Sequence, residues 1–342
     1  MSLPTLTRTI DDAFTHTWYE IRAEAIDNIL DANVVTAALR ANGCFTPQTG
    51  GEYITRTIRY GEKSTKNVKK GDTLSHGETQ LKTMARWEWK YITAHIQRSL
   101  QDDQKNQGKF KIASLVEDRI QAAKEAMDDT IETTLMALPD QTGGAAEDTR
   151  MRLERDPNSL YNFMPGGTAQ GAAQDFDGSS SYTFGEIGLD NAWWRAKYKT
   201  KSGVSAVTLL DDMKNHYNTI GENKAYPNLI VTNQAMFEAY ENYALDMSQI
   251  VKDNGTKLAD LGYEVLKFKG KDMVWTSKVT TNRVLMFNTD FIEVVYDPTY
   301  WFDMTEWKFT QLQLERIAHI VSAIQVICSQ PRRQGWIGTY AS

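Results

Sequence analysis

In the stretch DFDGSSSYTFGE, Asp175, Asp177, Ser179 and Glu186 fall at the first, third, fifth and twelfth positions of a calcium-loop spacing. Oxygen donors so placed suit a hard divalent cation, but the sixth position, where such a loop turns sharply on Gly, is Ser180, and flanking helices are not evident. The stretch reads as a polar turn. The five histidines, His16, His76, His95, His216 and His319, show no metal-ligand spacing, and HExxH does not occur. GGTAQG at Gly166–Gly171 lacks the Lys-Ser/Thr pair of a phosphate loop, and no GxSxG elbow is present. Two cysteines, Cys44 and Cys328, cannot build a disulfide framework or a paired zinc knuckle, and the spacing of Cys328 from His319 makes no dyad. Neither catalysis nor a cofactor is expected.

One charged cluster remains. In GEYITRTIRYGEKSTKNVKKGD, Arg56 and Arg59 lead into a tip carrying Lys63, Lys66, Lys69 and Lys70. A charge run is usually a solvated loop. This one sits on a long ribbon that alternates like a strand, with Ile54, Arg56, Ile58 and Tyr60 on one side and Tyr53, Thr55, Thr57 and Arg59 on the other. Neither side reads as apolar enough to lie on a core. Two-stranded ribbons are marginal alone in water, and edges left open invite pairing. The expectation is that a neighbouring copy supplies the missing surface, and that these six cations make inter-subunit ion pairs.

The rest of the chain must hold that ribbon. TMARWEWKYITAHIQ from Thr83 alternates and reads as the return strand, with Trp87, Trp89, Tyr91 and Thr93 on one face. From Ile112 the apolar positions run Ile112, Val116, Ile120, Ala123, Met127, Ile131, Thr134 and Leu138 at helical spacing. The acids Glu117, Asp118, Glu125, Asp128, Asp129 and Glu132 stay off that stripe and give the helix an acidic face, a partner for the lysine tip. Gly108 precedes the helix and Pro139 stops it. Residues 139–188, rich in Gly, Ser and Ala, read as a long excursion without regular structure. A helix over Ser205–Thr219, a buried strand Leu229–Thr232, a helix from Asn233, and strands over Asp272–Thr276 and Asn282–Asn288 follow. Phe309–Ser329 is a long alternating strand with Leu312, Leu314, Ala318, Ile320, Ile324, Val326 and Cys328 on one face. The order points to an α+β architecture.

Composition sets the outer limits. The 342 residues, 41% hydrophobic and 24% charged, suffice for a large core. No apolar run reaches the roughly 18–20 residues that cross a bilayer, and MSLPTLTRTIDDAF does not read as a secretory signal. A net charge of −6 argues against tight wrapping of nucleic acid, whose affinity comes from neutralised phosphates. Lining a space that holds DNA remains compatible with it. Nine Trp and fifteen Tyr favour extensive protein–protein contact.

The order of several blocks resembles the major capsid proteins of tailed bacteriophages over nearly the whole chain. ANGCFTPQTGGEYITRTIRYG is similar to the start of that family's extended loop, or E-loop. ARWEWKYITAHIQRSLQDDQKNQGKFKIASLVEDRIQAAKEAM is similar to its return strand and spine helix. FGEIGLDNAWWRAKY, PNLIVTNQAMFEAYENY, FKGKDMVWTSKVTTNRVLMFNTDFIEVVYDP and IVSAIQVICSQPRRQGW resemble later blocks in the right order. The resemblance implies an N-terminal arm (1–45) and an E-loop hairpin (46–92). It implies a peripheral P-domain (93–204) with a spine helix at 110–138 and a variable loop at 139–188. An axial A-domain (205–300) and closing strands of both domains (301–342) would complete the chain. It also implies hexamers and pentamers forming an icosahedral shell around double-stranded DNA, with the E-loop lying across the adjacent subunit. Further implied partners are a portal, a separate scaffolding protein, because only about 45 residues precede the loop, and a decoration protein. The protein would sit in the virion after assembly in the host cytoplasm, without a membrane. A non-viral nanocompartment shell of the same fold is the alternative.

Overall fold

The computed structural model describes residues 33–61, 67–70, 80–99, 121–137 apart from 124 and 128, 155–164, 183–201 apart from 190, 206–246 apart from 222–224, 266–279, 282–309 and 315–339. Helix α1 (Val34–Ala41) buries Val35, Ala37, Ala38 and Leu39. It ends at Asn42 and Gly43, whose φ of 73° suits a residue without a Cβ. Strands β1 (Phe45–Pro47), β2 (Tyr53–Arg59), β3 (Lys82–Glu88) and β4 (Lys90–Ser99) follow, then helical residues within 121–135, here α2. Next come β5 (Thr183–Phe184), β6 (Ile187–Gly188), β7 (Lys197–Lys201), α3 (Ala206–Ile220), β8 (Leu229–Thr232) and α4 (Gln234–Asp246). The chain finishes with β9 (Leu266–Phe268), β10 (Lys271–Trp275), β11 (Arg283–Phe287), β12 (Ile292–Tyr296), β13 (Asp303–Met304), β14 (Lys308–Phe309), β15 (Glu315–Cys328) and β16 (Gly335–Thr339). This is the α+β order expected.

Two six-stranded sheets organise these elements. The first is built on β15. One edge of β15 pairs with β4 from Glu315↔Ser99 to Ile324↔Lys90, while its other edge takes β14, β13 and β12 in turn, and β1 adds in parallel to β12. The face read in the sequence is buried along β15, at Ala318, Ile320, Ile324, Val326 and Cys328, but strict alternation stops at Val321, after which both faces are covered; Leu312 and Leu314 lie outside the described residues. The second sheet runs β7-β16-β11-β8-β10-β9. Its strand β8 is buried throughout because both faces are covered. Leu229 and Val231 join the main core, whereas Ile230 joins Met273, Val284 and Met286 in a smaller core with Leu209, Met213 and Phe237 of α3 and α4. Asn233 starts α4 as its sequence position suggests, its Oδ1 accepting the Met236 N–H at 3.3 Å. Of the described part of the expected stripe, Ala123, Met127 and Ile131 on α2 are buried, whereas Thr134 is only half-buried and Leu135 takes the inward position beside it.

Three expectations are corrected. The return strand is not continuous: β3 pairs with β2, β4 pairs with β15, and the buried phase reverses between them. Lys90, Ile92 and Ile96 turn inward, while Tyr91 is 57% exposed. The break is anchored at Trp89, whose Nε1 donates to Gly51 O (2.9 Å), and beside it Lys90 Nζ meets Glu88 Oε2 (3.0 Å). Residues 139–188 are also not all excursion. In PNSLYNFM, Leu160, Tyr161, Phe163 and Met164 are buried, held by Asn158 N–H on Gln325 Oε1 (2.7 Å) and Leu160 N–H on Leu135 O (2.9 Å). Those apolar residues stand at i, i+1, i+3 and i+4, a single helical turn's spacing, but over too few residues to announce an element. Finally, strand pairing crosses the expected domain borders: β7, before residue 205, joins the second sheet through β16, and β12, before residue 300, joins the first.

Candidate functional site

The ribbon is antiparallel from Tyr53↔Glu88 to Arg59↔Lys82. Paired residues share a face, and the two faces have opposite fates. Ile54, Ile58, Ala85 and Trp87 are buried, so the expectation that neither side meets a core is corrected. Their cover is the β5–β6 hairpin. Trp87 packs edge-on to Phe184 with ring centroids 5.5 Å apart, and Arg86 N–H donates to Gly185 O at 3.2 Å. Gly185 has φ of 62°, and a Cβ there would stand 2.7 Å from the Trp87 ring, so this turn lies flat on the indole only with Gly. Farther out, Tyr60 stacks on Trp193 at 4.6 Å. The opposite face shows Tyr53, Thr55, Thr57 and Arg59 beside Lys82, Met84, Arg86 and Glu88, all exposed. Tyr53 is 38% and Met84 50% exposed, and the cations Arg59, Lys82 and Arg86 outnumber Glu88 there.

The charged residues singled out in the sequence separate accordingly. Arg56 is corrected: it lies on the inner side, and its guanidinium pairs with Glu293 of its own chain (2.7 Å) and bonds Gln48 Oε1 (3.3 Å). Arg59 is on the exposed face, Lys69 and Lys70 are exposed near the tip, and Lys63 and Lys66 lie outside the described residues. On α2, Glu117, Asp118 and Asp128 are likewise outside the described residues. Glu125 is exposed and accepts from Gln121 Nε2 at 3.1 Å. Asp129 pairs with Lys278, whose Nζ also reaches Thr133 Oγ1 at 2.9 Å, tying α2 to the loop after β10. Glu132 is not part of an acidic outer face. It is 1% exposed and takes the Val35 and Thr36 N–H groups (3.3 and 3.2 Å) and the Thr36 hydroxyl (2.7 Å), closing the N-terminus of α1. Its position off the apolar stripe gave no sign of this role.

The chemical candidates stay apart. Cys328 is buried, and His319, exposed, stands nine residues away on the same strand, on the order of 30 Å. Burial pushes both thiols up to about 12, which keeps them protonated and unreactive at neutral pH. Asp175, Asp177 and Ser179 lie outside the described residues; Glu186 is exposed in the β5–β6 turn at φ 64°. Among the described residues no group of three or more His, Cys, Asp or Glu is gathered for a metal, and no helix is long and apolar enough to cross a membrane.

Sequence comparison adds nothing at this point, because no family model and no curated protein matches. Solved structures do match. The cyanophage A-1(L) capsid chain superposes with a TM-score of 0.60 at 12% identity, covering 91% of this chain and 93% of that one. The fold is that of the tailed-phage capsid proteins. A chain from the capsid of an empty GTA particle gives 0.55 at 10% identity, over 88% and 89% of the two chains. An encapsulin of Synechococcus elongatus PCC 7942 gives 0.49 at 8% identity over 87% of each. In this capsid fold the exposed β2–β3 face belongs to the ribbon that the sequence likened to an E-loop. Missed at the sequence level were its anchors, Trp87, Gly185 and Trp193. Two of them did carry a signal, Trp87 as an aromatic in an alternating run and Gly185 as a glycine opening a two-residue turn.

Proposed function

We propose that this chain is the major capsid protein of a tailed bacteriophage, assembling as hexamers and pentamers into an icosahedral shell around double-stranded DNA. The observation that carries the reading is the ribbon: its base is built into its own subunit, while its outer face offers Tyr53, Met84, Arg59 and Arg86 to a surface the protomer does not provide. The likeness in fold to capsid chains, over about nine-tenths of the length, supports the same reading. In the shell that outer face lies on the adjacent copy, with the lysine tip against acidic side chains there.

The work is mechanical rather than catalytic. Each exposed ion pair contributes only about 0–1 kcal/mol, and a closed array multiplies such contacts, because the last to form are made at high effective concentration. Weak individual contacts also let a misplaced subunit leave. A portal, a separate scaffolding protein and a decoration protein are the proposed partners, and the virion, after assembly in the host cytoplasm, the proposed location.

Electron microscopy of the purified protein tests this directly. Closed particles of uniform size, holding nuclease-protected DNA when taken from infected or induced cells, are expected. Closed particles filled with a protein cargo and free of DNA would instead give the nanocompartment reading. A species that stays at 38.8 kDa at every concentration would remove both.

A further inference from the structure

The first sheet sets two histidines face to face. His95 on β4 is the direct cross-strand partner of His319 on β15. The pairing type fixes their spacing. The main chain of His319 is turned toward the other neighbour: its carbonyl accepts the Thr305 N–H at 2.8 Å, and its own N–H donates to Thr305 Oγ1 at 2.9 Å. The His95–His319 pair is therefore of the non-hydrogen-bonded kind, the close type, with Cβ atoms about 4.5–5.5 Å apart. Both side chains are exposed, while Ile96, Ala318 and Ile320 take the buried side of the same two strands. On β4 and β15 the flanking positions of the histidine face, Thr93, Gln97, Ile317 and Val321, are uncharged; one strand farther out, Lys308 pairs with Ile317 and Asp303 with Val321, one charge of each sign.

Two imidazoles at this separation, held by strands that cannot shift relative to each other without breaking ten pairings, form a bidentate donor set. Imidazole suits zinc, nickel and copper rather than magnesium or calcium, which prefer oxygen. We propose that His95 and His319 bind one divalent transition cation, with water filling its remaining positions. The ion would act as a clasp between β4, which leads out of the ribbon, and β15, the axis of the sheet. Because the unfolded chain does not hold residues 95 and 319 together, binding stabilises the fold. This inference is independent of the proposed capsid role.

Calorimetric titration of the full chain with nickel chloride, repeated with zinc and magnesium chlorides and paired with thermal unfolding, tests the site. The expected result is one saturable nickel or zinc ion per chain and a raised Tm, with no response to magnesium. His95→Asn and His319→Asn should each abolish it, whereas His16→Asn with His76→Asn should leave it intact. No saturable binding up to about 1 mM, binding that survives His95→Asn, or half an ion per chain, which means a bridge between copies, would overturn the proposal. The electron paramagnetic resonance of copper bound to the unaltered chain gives a reading that needs no variant. Two coordinated imidazole nitrogens support the site, and one contradicts it.

Discussion

On the inner face of the β2–β3 ribbon, Ile54 and Trp87 are closed against the body of their own subunit; on the outer face, Tyr53 and Met84 stand in the open. Pairing the two strands also separates them as letters: Ile54, Ile58, Ala85 and Trp87 accompany the single charge of Arg56 inside, against Arg59, Lys82, Arg86 and Glu88 outside, a contrast that β2 alone barely shows. What closes the inner face is its cover. The β5–β6 hairpin, more than ninety positions downstream of β3, lays Phe184 and Gly185 on Trp87, and Glu293 of β12 takes the one cation that points inward, Arg56. The ribbon is thus anchored before any neighbour arrives. On the proposed reading a neighbour is needed only for the outer face, a narrower demand than the sequence suggested.

That contrast can be broken at several points. Trp87→Ala removes the central inner side chain and should cost about 3–5 kcal/mol in denaturant unfolding; a loss under 1 kcal/mol would mean that the inner face is not a packed core. Gly185→Ala forces a Cβ onto the indole in a left-handed turn, with an expected cost of about 1–3 kcal/mol. Wild-type stability for that variant would show that the hairpin cover is loose. Arg56→Ala breaks a partly exposed pair and should lower stability by no more than about 1 kcal/mol. If it costs several times that, Arg56 and Glu293 are a buried linchpin rather than a latch at the rim. Placing acids on the outer face, Arg59→Glu with Met84→Glu and Arg86→Glu, should change protomer stability by no more than about 0.5 kcal/mol per substitution, the smallest effect per residue, while abolishing closed particles. Normal particle yield from that variant would make the outer face an idle surface.

Much of this architecture was legible. The buried run LIVT, the helix from Asn233, the helical stripe through Met127 and Ile131 and the apolar face of β15 were legible because each keeps one backbone period along its length. Legibility failed where one segment serves two partners. The return strand changes sheets at Trp89, so its buried phase reverses in the middle of a run that alternates without interruption as letters. PNSLYNFM failed for another reason: it fills core space as a short turn, and one turn's worth of spacing is too little to mark such a plug. Glu132 and Arg56 were misplaced because charge was read as exposure, whereas an orphaned helix N-terminus and a facing carboxylate can each hold a charged side chain inward.

The central claim is that the outer ribbon face is covered by another copy while the inner face is covered already. Hydroxyl-radical footprinting of assembled particles against dissociated protomers reads both faces at once. Tyr53 and Met84 should be oxidised in the protomer and protected in the particle, with Trp87 protected in both; equal oxidation of Tyr53 and Met84 in the two states would contradict the account.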